Sequence, residues 1–554
     1  MRFSLFRHAA ALAASGLMSW LAVCPMSSHA GSTPEPGREP EIEAMACTPQ
    51  RLRALADVWH QVRWRGLTAT PPEIDWERRM AESLDDLCVA DPVLAEDALR
   101  VLLAPFPEVA AQPGTGDVWL RRLPLDVMEA RAQGQLNPFV TEPFSPRFDE
   151  VPPLAWRWMA AIKLWSSLKA VSRPLSFPAM RWDVAFDEAI DAMPAATSKD
   201  RYVDVLRRML TALDDGHARL MGRWMRARIG TGELPVRLRR AGPGIVVAEV
   251  VGTGDDAPPA ARVGDVVLTI DDVPVVEAMA SQRPFVSALT WASRELLTLD
   301  LLTRRPVGQS ATLRVRREGR EIDLTLLATR EPSLEVSRPA ARRLSKTVGY
   351  LDLSAIEDLS TVDPLLRGAK TLIVDLRRYP RGAAWDLAAR LQKQPVARSP
   401  LNWEPRAGLA EGAEIPRTIL RRAAVHWPAR MIALIGEETQ SQGNYSVLLL
   451  QSVTTVCTVG AKTFGTYGNI AAVSLPGGLV ASFTANDVMT ADGRLAPAEG
   501  LTPDIDVVIQ AEDFAAGRDP VLSAAMYVAE AGRRCAARRE PLLNTTPRGD
   551  LVSR

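Results

Sequence analysis

The sequence predicts a multidomain α+β protein, and three observations predict it. Helical periodicity runs through residues 43–230, short β-rich runs fill 233–330, and strands and helices alternate from 340 to 530. The 554 residues suffice for roughly three or four domains. The chain is 47% hydrophobic and 24% charged, an ordinary balance for a globular protein with a sizeable core. Lys+Arg and Asp+Glu both number 66, so the formal net charge is zero. The basic footprint of a nucleic-acid binder is absent. Local runs such as "RRLSK" and "LRRAAVHW" read as solvated faces.

The first 30 residues read as a signal peptide. Arg2 and Arg7 precede an apolar stretch from about Ala9 to Val23, and Ser28-His29-Ala30 supplies a small-x-small cleavage site. That stretch is short for a membrane span, and no later segment qualifies as one. The expected location is periplasmic or secreted. The alternative is a lipoprotein anchored through Cys24 of "LAVC", although Val23 fits poorly before that cysteine. Cys47, Cys88, Cys457 and Cys535 remain after cleavage, in a compartment that permits disulfides. Cys47 and Cys88 share the N-terminal region and could pair, but spacing does not decide it. No Cys/His cluster has metal-ligand spacing, so neither metal nor cofactor is expected.

Residues 31–42, rich in proline and charge, read as a mobile tail, and 531–554 as a C-terminal tail. In the helical region, Tyr202, Val205, Leu206, Met209, Leu210 and Leu213 recur at helical spacing. Trp156, Trp158 and Trp165 are placed for core packing. The β-rich runs of the middle region are "GIVVAEVV", "GDVVLTI", "ATLRVRR" and "EIDLTLLATR", with a helical stretch around "FVSALTWASRELLTLDLLT". Its string "VGDVVLTIDDVPV" resembles a PDZ-like domain. Such domains commonly hold a peptide as an added strand, so the resemblance implies a polypeptide partner, possibly gripped by its C-terminus.

The core region begins with strands at "VGYLDLS" and "TLIVDLRRYP", a helix at "WDLAARLQK", a strand at "MIALIG" and a helix at "YSVLLLQSV". Ser441 sits in the turn between the last two. Most serines in such turns are helix caps. A strand-to-helix turn also directs backbone N–H groups outward, where they favour developing negative charge. A nucleophilic serine needs a base. His60, His217 and His426 are the three histidines left after cleavage. His60 lies in a helical segment rich in Trp and Arg, which suits packing. His426 precedes Trp427-Pro428, which suits a loop or strand edge. His217, in "LDDGHARL", is expected at the end of a helix, where it can face a cleft or simply meet the helix dipole.

Taken together, "RWDVAFDEAI", "LTALDDGHARL", "VGYLDL", "LIVDLRRYPRG", "ETQSQGN", "GAKTFGTYG", "LPGG", "ADGRLAPAEGLTPDIDV" and "RDPVL" occur in the order and spacing of one family. The chain resembles the C-terminal processing (tail-specific) peptidases, and more closely their tricorn-core and retinoid-binding-protein-like branch, over roughly residues 155–530. The resemblance implies a crotonase-like or ClpP-like α/β catalytic core. It makes Ser441 the nucleophile, His217 the base and Glu499 its orienting partner. It assigns the oxyanion hole to the amides of Gly382 and Gln442. The lysine that the tail-specific branch places after "TFG" is Thr466 here, and Lys462, which precedes the string, is a poor substitute.

Departures accompany the likeness. Gly216 stands where the tricorn-type site has a serine, and the residues leave open whether Asp214 or Asp215 replaces that hydroxyl. Tyr379-Pro380-Arg381-Gly382 replaces Asn-Pro-Gly-Gly, and Gly443-Asn444 replaces Ala-Glu. The implied activity is a serine endopeptidase acting on extended or unfolded polypeptides through an acyl-enzyme. The alternatives are a non-proteolytic peptide- or ligand-binding protein on the same scaffold, and acyl transfer to a non-peptide ester.

Overall fold

The computed structural model describes residues 76–87, 146–171, 178–251, 260–330, 339–392, 396–403, 419–427 and 430–531, with isolated positions between 49 and 102. The signal segment, the tail at 31–42, Cys24, Cys47, Cys88 and everything after residue 531 lie outside the described residues. Among those described, no helix is long and apolar enough to cross a membrane.

The helical region is built on α1 (Trp76–Leu87), α2 (Leu154–Val171), α3 (Ala179–Ala192) and α4 (Lys199–Thr211). Helix α2 is apolar on nearly every face and is buried accordingly. Its one fully buried charge, Lys163, is ion-paired with Glu77 of α1. Trp158 and Trp165 are buried as their spacing predicts, and Trp156 packs partly buried against the same cluster. His60 meets Ser166 Oγ at 3.1 Å, which is a packing role. Ser198 caps α4 by accepting from the Arg201 N–H, and Tyr202, Leu206, Met209 and Leu210 form its buried face.

Helix α4 stops at Thr211, six residues before His217. The chain turns through Asp214, at φ 47°, and then enters β1 (Arg219–Gly222). The expected helix end at His217 is therefore a turn leading into a strand.

The middle region forms a sheet of β2 (Val236–Ala241), β3 (Gly244–Val250), β4 (Val266–Ile270), β5 (Ser310–Arg317) and β6 (Arg320–Leu327), antiparallel in that order. Helix α5 (Trp291–Leu302) packs beside it. The helix starts later than its sequence pattern suggests because Thr290 caps it, accepting from the Ser293 N–H at 3.1 Å.

The core holds β7 (Ala341–Arg343), β8 (Val348–Asp352), β9 (Thr371–Asp375), β10 (Arg430–Ile435) and β11 (Val456–Gly460). These continue into β12 (Ile470–Leu475), β13 (Leu479–Thr484) and β14 (Ile505–Asp506). The main sheet runs β7-β8-β9-β10-β11-β14, parallel from β8 onward. Both faces are covered, so its strands are continuous apolar runs. Helices α6 (Ala384–Leu391) and α7 (Gln442–Val453) lie on one side, and α8 (Pro520–Glu530) on the other. Cys457 of β11 is disulfide-bonded. Strands β12 and β13 form a hairpin that takes β1 as its third strand, with Arg219 opposite Ser482. The helical region and the core thus share one sheet and one apolar cluster.

Candidate active site

Ser441 lies just beyond the carboxyl end of β10, where parallel α/β sheets open a crevice. The turn before it is tied down. Thr439 Oγ1 accepts from the Gly436 N–H at 3.0 Å and donates to the Leu376 carbonyl at 2.9 Å. Ser441 itself adopts φ 49° and ψ −112°, left-handed backbone that a residue with a Cβ rarely holds. Its N–H donates to the Thr466 carbonyl at 3.1 Å, and its carbonyl accepts from Tyr445 to start α7. Its side chain makes no capping bond, so the cap reading does not describe this serine. Six non-glycine residues among those described have positive φ, and three of them (Asp214, Ser441 and Thr466) cluster here. The other three occupy hairpin turns of the middle region.

Gln442 opens α7, so its N–H has no acceptor within the helix. Gly382, at φ 104°, ends the loop that follows β9, and a Cβ there would meet nothing within 4 Å. That loop runs beside the first turn of α7. A Cβ on Gly443 would lie 3.8 Å from Pro380 Cδ and 3.9 Å from the Leu376 carbonyl oxygen. Arg381 is exposed, and its guanidinium reaches Glu357 only at 3.9 Å.

His217 is held by a buried carboxylate two residues earlier. Asp215, 3% exposed, accepts from the His217 N–H at 3.0 Å and from the Thr484 N–H at 2.6 Å. The Thr484 hydroxyl lies 2.7 Å from Asp215 Oδ1 and 2.9 Å from His217 Nδ1. Ser287 Oγ accepts from the Asp215 N–H at 2.9 Å. Asp214, the other candidate replacement for the missing hydroxyl, instead pairs with Arg181 and Arg294. A Cβ on Gly216 would collide with Phe464 Cε1 at 2.3 Å and Thr466 Oγ1 at 2.7 Å. Thr466 therefore touches both halves of the site, the His217 turn through its side chain and Ser441 through its carbonyl.

Glu499 is placed beside this centre rather than in it. Its loop packs against Gly465, which bridges to Gln440, but its carboxylate is exposed and pairs with Lys462 Nζ at 3.3 Å. The position at His217 Nδ1 is occupied by Thr484. Asn444 is fully buried, and its side-chain amide donates to the Gly465 carbonyl, a bond that a carboxylate could not make. His426, in the loop before β10, lines a cavity with Arg367, Lys370 and Trp427, and Ser441 is not among that cavity's lining residues.

Electrostatic ties hold the loops around Ser441. Burial works against the Asp375 carboxylate, but Arg377 and the Tyr350 hydroxyl outweigh it and keep the carboxyl below its ordinary value. Arg377 also grips Asp519, the N-cap of α8, at 2.9 Å. This clamp accounts for the spaced "DLR" and "RDP" strings of the sequence. Arg378 reaches Glu249 of β3 at 2.9 Å, and Arg239 of β2 pairs with Glu438. Thr484, Ser287 and these interdomain pairs were not legible, because single hydroxyls and arginines far apart in the chain carry no spacing signal.

Residues 347–507 match the model of Peptidase family S41. Among solved structures, mature CPAF complexed with lactacystin is 15% identical at TM-score 0.50, covering 68% of this chain and 98% of that one. The photosystem II D1 C-terminal processing protease is 16% identical at TM-score 0.40, covering 64% and 94%. Tricorn protease is 16% identical at TM-score 0.37, covering 69% of this chain and 37% of its own. At such identities the likeness is one of fold. No curated protein matches the chain.

Proposed function

We propose that this chain, whose residues 347–507 match the model of Peptidase family S41, is a serine endopeptidase acting on extended or unfolded polypeptides outside the cytoplasm. The observation that carries this reading is the strained, non-capping Ser441 at the head of α7, joined through Thr466 to the turn that bears His217. In the proposed cycle, His217 Nε2 takes the proton from Ser441 Oγ as that oxygen attacks the scissile carbonyl. The N–H groups of Gln442 and Gly382 receive the oxyanion. His217 then protonates the leaving amine. Water, deprotonated by the same imidazole, hydrolyses the acyl-enzyme. The resemblance makes Glu499 the third group, and its loop packs against Gly465 beside Ser441.

The β-rich domain would serve as a PDZ-like peptide holder, and its ion pairs to the catalytic loops support that coupling. The disulfide at Cys457 supports an oxidising compartment, in keeping with a secretory signal. A non-proteolytic binding protein on the same scaffold is the second reading, favoured by the pairing of Glu499 with Lys462. One comparison decides. The mature chain and its Ser441→Ala variant are incubated with unfolded proteins and with a fluorophosphonate probe, and new termini and labelled peptides are read by mass spectrometry. Cleavage and labelling by the wild type alone support the peptidase. Equal behaviour of the two chains ends that reading.

A further inference from the structure

We infer that Asp215, acting through the Thr484 hydroxyl, is the group that orients His217 and balances its charge. The hydrogen-bond chemistry leaves one arrangement. An ionised carboxylate only accepts, and a threonine hydroxyl has one proton to give. Asp215 is buried among donors, with three reaching its two oxygens from the His217 N–H, the Thr484 N–H and the Thr484 hydroxyl. With that hydroxyl proton committed to Asp215 Oδ1 at 2.7 Å, the Thr484 oxygen at 2.9 Å from His217 Nδ1 must accept. Nδ1 therefore carries the hydrogen, and Nε2 keeps the lone pair that a general base needs. When Nε2 takes a proton, the positive imidazolium is linked through one hydroxyl to a buried negative charge. The relay also supplies the hydroxyl lost at Gly216, where Phe464 leaves no room for a side chain.

Other charges near the turn are already engaged or less well placed. Asp214 is shared by Arg181 and Arg294, Glu499 pairs with Lys462, and Arg219 feels both Asp215 and Asp300. Asp215 and Thr484 are positioning residues. Their catalytic meaning rests on the Ser441–His217 reading, whereas the hydrogen-bond chain itself can be tested without it.

The test uses full-length mature protein labelled with ¹⁵N-histidine, in wild-type, Thr484→Val, Thr484→Ser and Glu499→Gln forms. Thr484→Val keeps the shape of a β-branched strand residue, and Thr484→Ser restores the hydroxyl. The imidazole ¹⁵N shifts report the tautomer and titration of His217. The rate of fluorophosphonate labelling at Ser441 reports its activation. We expect the Nδ1–H tautomer in the wild type. Thr484→Val should abolish that preference, lower the imidazole pKa and slow labelling by about 100-fold. Thr484→Ser should recover all three, and Glu499→Gln should leave tautomer and titration in place. An Nε2–H tautomer in the wild type, or a Thr484→Val imidazole that titrates as before, overturns the assignment. A wild type with the expected tautomer but no labelling would count against the peptidase reading and leave the relay standing.

Discussion

Arg239 of the β-rich domain and Glu438, three residues before Ser441, form an ion pair across the boundary between the domain and the core. The Arg239 side chain is largely buried and also reaches Asp300 at 3.3 Å. Burial pushes the neighbouring Glu437 carboxyl above its ordinary value, and Arg239 is the main charge opposing that shift. The turn carrying Ser441 is therefore held from outside the core. Arg239→Met should cost about 2 kcal/mol. Its effect on kcat should exceed its effect on the KM of a short peptide, because it loosens the turn rather than the substrate contacts. Thermal melts and steady-state kinetics on one peptide check this.

Gly382→Ala separates backbone conformation from crowding. Nothing stands within 4 Å of an added Cβ, so any loss comes from the φ of 104°. The substitution should destabilise the fold by about 1–2 kcal/mol while slowing fluorophosphonate labelling of Ser441 by ten-fold or more, on the order expected for a lost oxyanion donor. An unchanged labelling rate would remove Gly382 from the oxyanion hole.

Gly216→Ser introduces the serine that the tricorn-type resemblance expects, and should disturb the turn. The added Cβ would lie 2.3 Å from Phe464 Cε1, so the turn or the ring must move, at a cost of about 1–3 kcal/mol. Pairing it with Phe464→Ala should relieve the collision. Urea melts of the single and double variants measure the coupling, and additive losses would refute the collision.

The Asp375–Arg377 pair predicts a pH dependence. The folded Asp375 carboxyl titrates below its unfolded value, near 3.9. Its contribution to stability is therefore complete above that value and is lost as pH falls through the folded pKa. Arg377→Met should destabilise the protein by about 3–5 kcal/mol at pH 7, by leaving a buried carboxylate without its cation. The deficit should shrink toward pH 4 as that carboxyl, its pKa now raised, takes up a proton. Denaturation at both values tests the sign, and a deficit independent of pH would contradict it.

The parts of the fold legible in the sequence are those that repeat locally. Apolar runs marked β8, β9 and β10, helical spacing marked α4 and α6, and a serine between strand and helix marked the turn at 441. Helix boundaries were less legible. Thr290 delays α5 by capping it, and α4 ends at Thr211, before the turn at Asp214. The support of the histidine was the least legible. Asp215 stood in view as one of two adjacent carboxylates, but its separation from Asp214 depends on Arg181, Arg294 and Thr484, which local pattern does not connect. Asn444 looked like a lost carboxylate, and only the carbonyl of Gly465 shows why a donor is needed there.

The sheet shared by β1 and β13 has a temporal consequence. His217 and the hydroxyl beside it are 267 residues apart in the chain, with the whole β-rich domain and most of the core between them. During synthesis, the histidine emerges long before either Ser441 or Thr484 exists to meet it. A nascent polypeptide therefore carries the His217 turn before the strand that holds Thr484 beside it. Closing so long a loop also makes this contact late among folding events. On the proposed reading, the β12–β13 hairpin serves as a safety catch: the relay to His217 can close only after Thr484 has emerged and folded.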